Sequence, residues 1–458
     1  MTPNSSDLTG LKSKLPDLRI YTPSNADFEA VAALYVGGIP SRPLAIVRPR
    51  SEEEVGAVVE YANEKSIPLA VRVGGHDLLG RSGPNQALVV DLRDIKYVDI
   101  VDDGQAAIIG GGVLAQDLAD TLERTGHATA FGASSTVGYV GWATHGGYGL
   151  FSGLYGLGVD QILGARVVDY RGEIFHADEE LLYGIRGAGS AFGVIVSMKI
   201  KIYKLEKVLA SALVYSIGAV ENDLDDFLRK YQKLLDQGIP RELGLIVGVA
   251  NFPKAGKALF CSFMWASEDL VAGKVALAKM QELGPIVMDT VAEVTISTWL
   301  RNIDKNTPAY GVYSASGPAN VLVPSFDNQV RDILVKFTKG LPADPATLWV
   351  ENHAHGAALE PKLPCSFGYR MGHIMIEIIG TSVVEEMAKQ SGDWVVSFDK
   401  AARALPQTLD GGYIVLLHPS VPSKLCYQGH WDRLQRLKAK FDPHNMFAFS
   451  VTGLDGKI

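Results

Sequence analysis

The sequence predicts an α+β fold, and three observations carry that expectation. They are a strand–helix–strand opening, a later stretch in which strands alternate with amphipathic helices, and a concentration of glycines between residues 74 and 193. Residues 44–48 (LAIVR) read as a strand. Ser51 followed by Glu54 is a capping-box pattern, and Val55, Val58, Val59 and Ala62 give the next helix one apolar face. Residues 67–72 form the following strand, which runs straight into Val73-Gly74-Gly75-His76. Further strands are expected at 87–92 and 106–109, and Leu114, Leu118 and Leu122 stripe one face of a helix.

From about residue 207 the rhythm changes. Strands at 209–216, 243–250, 259–265, 347–355 and 371–379 alternate with helices near 222–237, 270–283, 325–339 and 383–404. That order predicts one antiparallel sheet with helices covering one face. Residues 413–417 read as another strand, and 431–441 as a last helix stopped by Asp442-Pro443. The expected domains are 1–206, 207–405, and a segment 406–458 that returns to the first.

Composition narrows the function. Of 458 residues, 47% are hydrophobic and 21% charged, enough for a sizeable core. A net charge of −8 with no long basic run argues against nucleic acid as a partner. Cys261, Cys365 and Cys426 are scattered and odd in number, so neither a disulfide framework nor a zinc site is expected. No apolar leader and no stretch of membrane-spanning length is visible, so the expected location is the cytoplasm.

Glycine clusters such as Gly110-Gly111-Gly112 and Gly146-Gly147 mark tight turns, or places where backbone must come close to a ligand. Successive glycines also let backbone N–H groups converge on a pyrophosphate. The spacing of Gly187, Gly189 and Gly193 is not that of a Rossmann fingerprint, and no suitable helix follows.

Three segments read together are more specific. They are Arg72-Val73-Gly74-Gly75-His76-Asp77; Gly132-Ala133-Ser134-Ser135-Thr136-Val137-Gly138, continuing through Gly141 to His145-Gly146-Gly147-Tyr148-Gly149; and Phe192-Gly193-Val194. With the closing Phe441-Asp442-Pro443-His444-Asn445, their order and spacing resemble the PCMH-type FAD-binding domain of the vanillyl-alcohol-oxidase superfamily. Within it they resemble the berberine-bridge-enzyme-like oxidases, and the likeness covers nearly the whole chain. It implies a two-lobed FAD-binding domain followed by a substrate-binding domain. It implies FAD contacts at Arg72, Val73, Gly74, Gly75, His76, Asp77, Ser134, Thr136, Val137, Gly138, Gly141, His145, Gly146, Gly147, Gly149, Val194 and Asn445. It also implies a covalent bond from a ring nitrogen of His76 to the flavin 8α-carbon, a role a neutral imidazole can fill. Relatives with a second bond use a cysteine where this chain has Ser134, so one attachment is expected.

The resemblance implies hydride transfer from an alcohol or amine on a small secondary-metabolite scaffold to flavin N5, with O2 as acceptor and H2O2 as product. The alternative is an FAD-containing enzyme without net oxidation, a dehydratase or cyclisation catalyst. No metal is implied. Alternation places Trp349, Glu351, His353 and His355 on one strand face, read here as the pocket wall, and His373, Met375 and Glu377 opposite the helix-facing Ile374, Ile376 and Ile378. The terminal Tyr-x-Asn-Tyr pattern of many relatives is reduced to Tyr413, with Val415 and Leu416 in the other places. The candidate bases are therefore Glu351, His353, Tyr369 and Tyr413.

Overall fold

A computed structural model describes residues 8–39, 41–252, 256–305, 311 and 317–456; the start of the amino-terminal stretch searched for a leader lies outside them. The fold is α+β. The first sheet orders Arg19–Tyr21, Ala45–Arg48, Leu88–Asp91 and Leu69–Arg72, the last three mutually parallel. The helix Glu52–Glu64 covers it, and the predicted cap is present: the Ser51 hydroxyl accepts the Glu54 N–H at 3.2 Å. The second sheet is antiparallel, ordered Val98–Val101, Ala106–Gly110, Val194–Lys201, Ile162–Val168 and Ile174–His176.

The third sheet is the large antiparallel one expected after residue 207. Its order is Ile286–Asp289, Val208–Ser216, Gly256–Trp265, Leu243–Phe252, Thr347–Ala354, His373–Gly380 and Pro318–Val323, with Ala292–Val294 also pairing Val208–Ser216. The helices Val220–Asp236, Leu270–Gln281, Asn328–Lys339 and Ala388–Arg403 bury their apolar stripes on one face of it. Tyr231, Leu334 and Phe398 meet Val247, Trp349 and Ile376 there. The opposite face is left for a cavity.

Two expectations change. Residues 413–417 form a 3₁₀ turn, Ile414–Leu416, instead of a strand. The reason is local: the Asn320 side chain accepts the Tyr413 N–H at 2.6 Å and donates to the Tyr413 carbonyl at 2.9 Å. The backbone groups a ladder would use are already satisfied. The strand Pro318–Val323, not anticipated, supplies that asparagine; its leading proline sits at the sheet edge, where a missing donor costs least.

The helix Trp431–Phe441 packs Leu434 and Leu437 into the core that holds Leu181, Leu182 and Ile185. Lys438 and Asp442 are both fully buried, with Nζ and Oδ2 2.6 Å apart. Lys438 also donates to the Ala191 carbonyl at 2.9 Å, and Asp442 accepts the N–H groups of Met446 and Phe447. Removing one partner would leave the other charge buried and uncompensated. Lys438→Met is therefore expected to cost about 3 kcal/mol or more in urea unfolding. Lys440→Met, which loses an exposed pair with Glu180 and a surface contact with the Phe441 ring, should change little.

Candidate active site

One cavity of about 600 Å³ runs between the two glycine-rich loops and the open face of the large sheet. Its floor depends on a contact with no room for side chains. A Cβ at Gly74 would lie 2.3 Å from the Thr136 carbonyl oxygen and 2.6 Å from the Gly138 nitrogen. A Cβ at Gly138 would lie 2.6 Å from that of Val73. Real structures do not tolerate such approaches, so the two loops meet backbone on backbone only because both positions are glycine.

The strand Leu69–Arg72 delivers the first loop. Arg72 is buried, and its guanidinium donates to Asp91 and to the Val31 carbonyl, each at 2.6 Å, which anchors the strand end in the first lobe. Gly75 has φ +62°, turning the chain so that His76 enters the cavity wall. The imidazole stacks on Tyr35 with centroids 4.0 Å apart, and its Nε2 is 2.8 Å from the Thr136 hydroxyl. Burial pushes its pKa down to about 4, so the ring is neutral at physiological pH. His145 is likewise pushed down to about 4, mainly by burial. Its Nδ1 donates to the Gly141 carbonyl at 2.8 Å, since a carbonyl can only accept. Asp77 is paired with Arg81 at 2.6 Å.

Among the residues expected to touch a cofactor, Arg72 through Asp77, Ser134, Val137, Gly138, Gly141, His145 and Gly149 line this cavity. Thr136 stands behind His76. Gly146 packs against Phe367 and Tyr413, and Gly147 against Gly158. Val194 is fully buried opposite Val168 in the second sheet, and Asn445 lies in the turn after Asp442; the cavity wall includes neither.

The candidate bases separate. Tyr413 lines the cavity. Glu351 does not: it pairs with Val247 and Ile376, so it shares their face and points at the helices. The Tyr231 hydroxyl donates to Glu351 at 2.8 Å, and burial raises the carboxyl to about 8. The expected wall of Trp349, Glu351 and His353 is thus the wrong face of that strand. Cross-strand pairing makes the reason plain, because residues opposite one another share a side and a shift of one residue reverses every side chain. His353 stacks on His355, centroids 5.2 Å apart, and is absent from the wall. The Tyr369 hydroxyl is committed to the backbone of Asp410, Leu425 and Gly412.

The wall is built instead by Ile246, Phe260, Val350, Asn352 and Glu377. Alternation within 373–379 already set Glu377 apart from the isoleucines; the signal that was missing is the register with Thr347–Ala354. Asn352 donates to the Glu377 carboxylate at 2.7 Å, and burial raises this carboxyl to about 7. Tyr148 lines the same cavity, its hydroxyl 2.8 Å from His373 Nε2. Tyr35 joins the wall with no sequence signal to announce it.

The chain is similar to known FAD-linked proteins. A family model described as an FAD binding domain matches residues 43–178. The FAD-linked oxidoreductase aurO of Gibberella zeae is 31% identical over 97% of this chain and 87% of its own length. The crystal structure of 6-hydroxy-D-nicotine oxidase from Arthrobacter nicotinovorans superposes with a TM-score of 0.82 at 22% identity, covering 96% of this chain and 98% of that one. A glucooligosaccharide oxidase from Acremonium strictum, described with a 6-S-cysteinyl, 8α-N1-histidyl FAD, gives 0.82 at 18% identity over 98% and 99% of the two chains. No helix among the described residues is long and apolar enough to cross a membrane.

The residues suit FAD. The glycine floor presents backbone without side chains, and the buried hydroxyls of Ser82 and Ser134, both in the cavity wall, have no hydrogen-bond partner among the described residues. Glu351 yields a test of the revised wall. Its carboxyl is neutral in the folded protein up to about pH 8 and ionises near 4.5 when exposed, so its burial costs stability progressively as pH rises across that window. Glu351→Gln should flatten this slope in urea unfolding at pH 5 and pH 8 while flavin content stays that of the parent. Loss of flavin would restore Glu351 to the site.

Proposed function

The chain belongs to the berberine-bridge-enzyme-like FAD-linked oxidoreductases, and on that premise we propose that it holds FAD covalently through His76 and oxidises an alcohol or amine on a small secondary-metabolite scaffold. The observation that carries this reading is a single cavity shared by a neutral, pinned imidazole at one wall and a carboxyl near neutrality at another. When bound, FAD supplies the hydride acceptor at N5 and is reoxidised by O2 with release of H2O2.

Each protein group then has a defined task. The loops at Gly74 and Gly138 hold the cofactor by backbone, and the Ser134 hydroxyl offers a hydrogen bond. Thr136 and Tyr35 orient the His76 ring, and burial keeps it unprotonated and so nucleophilic. Ser134 lacks the thiolate chemistry of a second attachment, which supports a single bond. Glu377 accepts the proton that leaves the substrate O–H or N–H. A pKa near 7 suits that task, because a useful fraction is ionised while the group remains basic. Asn352 holds the carboxylate in position. Tyr413 closes the cavity above Gly146.

Acid precipitation followed by intact-mass measurement tests the linkage. The washed parent pellet should be yellow and heavier by one FAD, and His76→Ala should give a colourless pellet with flavin in the supernatant. A colourless parent pellet would refute the covalent bond. For the base, peroxide formation with the first substrate found by screening should rise with pH through a pKa near 7, since the carboxylate is lost as pH falls below it. Glu377→Gln should lower the rate by about 10²–10⁴-fold and abolish that limb. Substrate conversion without peroxide would favour the non-oxidative alternative.

A further inference from the structure

The hydrogen bonding of Tyr148 and His373 restricts what the substrate end of this cavity can recognise. Tyr148 is 8% exposed and belongs to the cavity wall; His373, the first residue of His373–Gly380, is 1% exposed and stands behind it. His373 Nδ1 lies 2.8 Å from the Met371 carbonyl oxygen, which can only accept, so Nδ1 carries a proton. Burial disfavours a second proton on the ring. Nε2 is therefore an acceptor, and at 2.8 Å it takes the one proton that the Tyr148 hydroxyl has to give. What Tyr148 Oη then has left to offer a ligand is lone pairs alone. The rings of Tyr413 and Phe367, edge-on to Tyr148 at 5.2 and 6.0 Å, brace this arrangement.

The rest of the substrate end is consistent with one kind of ligand. Ile246, Phe260, Val350 and Ile379 make its wall apolar. The two arginines of the lining, Arg72 and Arg81, are each paired to a carboxylate at 2.6 Å. Asn352 spends one of its two amide N–H donors on Glu377. Tyr148 and Glu377 thus offer acceptors from two sides, and no cation among the described wall residues is uncommitted.

We propose that Tyr148, held by His373, reads a hydroxyl or N–H of the substrate, so that the site selects an apolar, uncharged molecule carrying such a donor on its scaffold, a phenol in preference to its ether, a carboxylate or a phosphate. This rests on the flavoenzyme reading of the cavity and adds the substrate class to it. Tyr148 touches the ligand; His373 is a positioning residue that acts through it.

The test uses two matched probes, 4-ethylphenol and 4-ethylanisole, titrated into the flavin-containing protein by calorimetry and by perturbation of flavin absorbance. The parent should bind the phenol at least about tenfold more tightly, because an ether leaves the Tyr148 and Glu377 acceptors without a donor. His373→Leu releases the Tyr148 hydroxyl to donate outward, so the anisole should gain affinity and the ratio should collapse. His373→Gln, whose carbonyl can take the Tyr148 proton, should restore the ratio, and Tyr148→Phe should lower it by weakening the phenol alone. Equal ratios in the parent and His373→Leu, a parent ratio near one, or no phenol binding by flavin-loaded protein would each overturn the proposal. Calorimetry reads both probes whether or not flavin is attached. A flavin-free preparation would therefore sink the flavoenzyme reading while the donor preference is decided on its own.

Discussion

The site depends on the contact between the turn at Gly74 and the stretch at Thr136–Gly138. Two loops from different sheets approach until only backbone separates them, and a single methyl group on either side would force them apart. That approach puts the Thr136 hydroxyl against His76 and brings alongside it the ring of Tyr35, a residue whose backbone N–H donates to the Gly75 carbonyl. The buried Arg72–Asp91 pair then fixes the strand end from which the first loop departs. The imidazole is thus oriented by elements from both lobes, and moving either one would displace it.

Burial, more than neighbouring charge, sets the protonation states around the cavity. His76 and His145 are held neutral by it, and Glu351 and Glu377 are raised by it. The two carboxyls make an instructive pair. They lie on adjacent strands and shift in the same direction for the same reason, yet one faces a helix and the other the cavity. A raised carboxyl is therefore no sign of a catalytic role unless geometry gives it access to a ligand.

Much of this architecture was legible in the sequence. The Ser51 cap, the amphipathic helices and the glycine loops are local patterns, set by periodicity and by residues with narrow conformational roles. Alternation also assigned Glu377 to the face opposite the isoleucines. It could not assign Glu351, because alternation says which residues share a face and not which face is inward. Only pairing with Val247 and Ile376 settles that. The 3₁₀ turn at Ile414–Leu416 was hidden for a related reason, since the asparagine that replaces its ladder lies on a strand far away in the chain. The Tyr148–His373 pair likewise joins residues whose proximity no local pattern encodes.

The buried Lys438–Asp442 pair has a consequence for biosynthesis. Lys438 grips the Ala191 carbonyl, one residue past Ser190 of the cavity wall, so that wall is braced by a helix translated after the entire large sheet. A nascent chain cannot finish its cradle while the ribosome still holds that helix. That bracing is therefore added late in synthesis, and a polypeptide that stalls within the sheet domain lacks it.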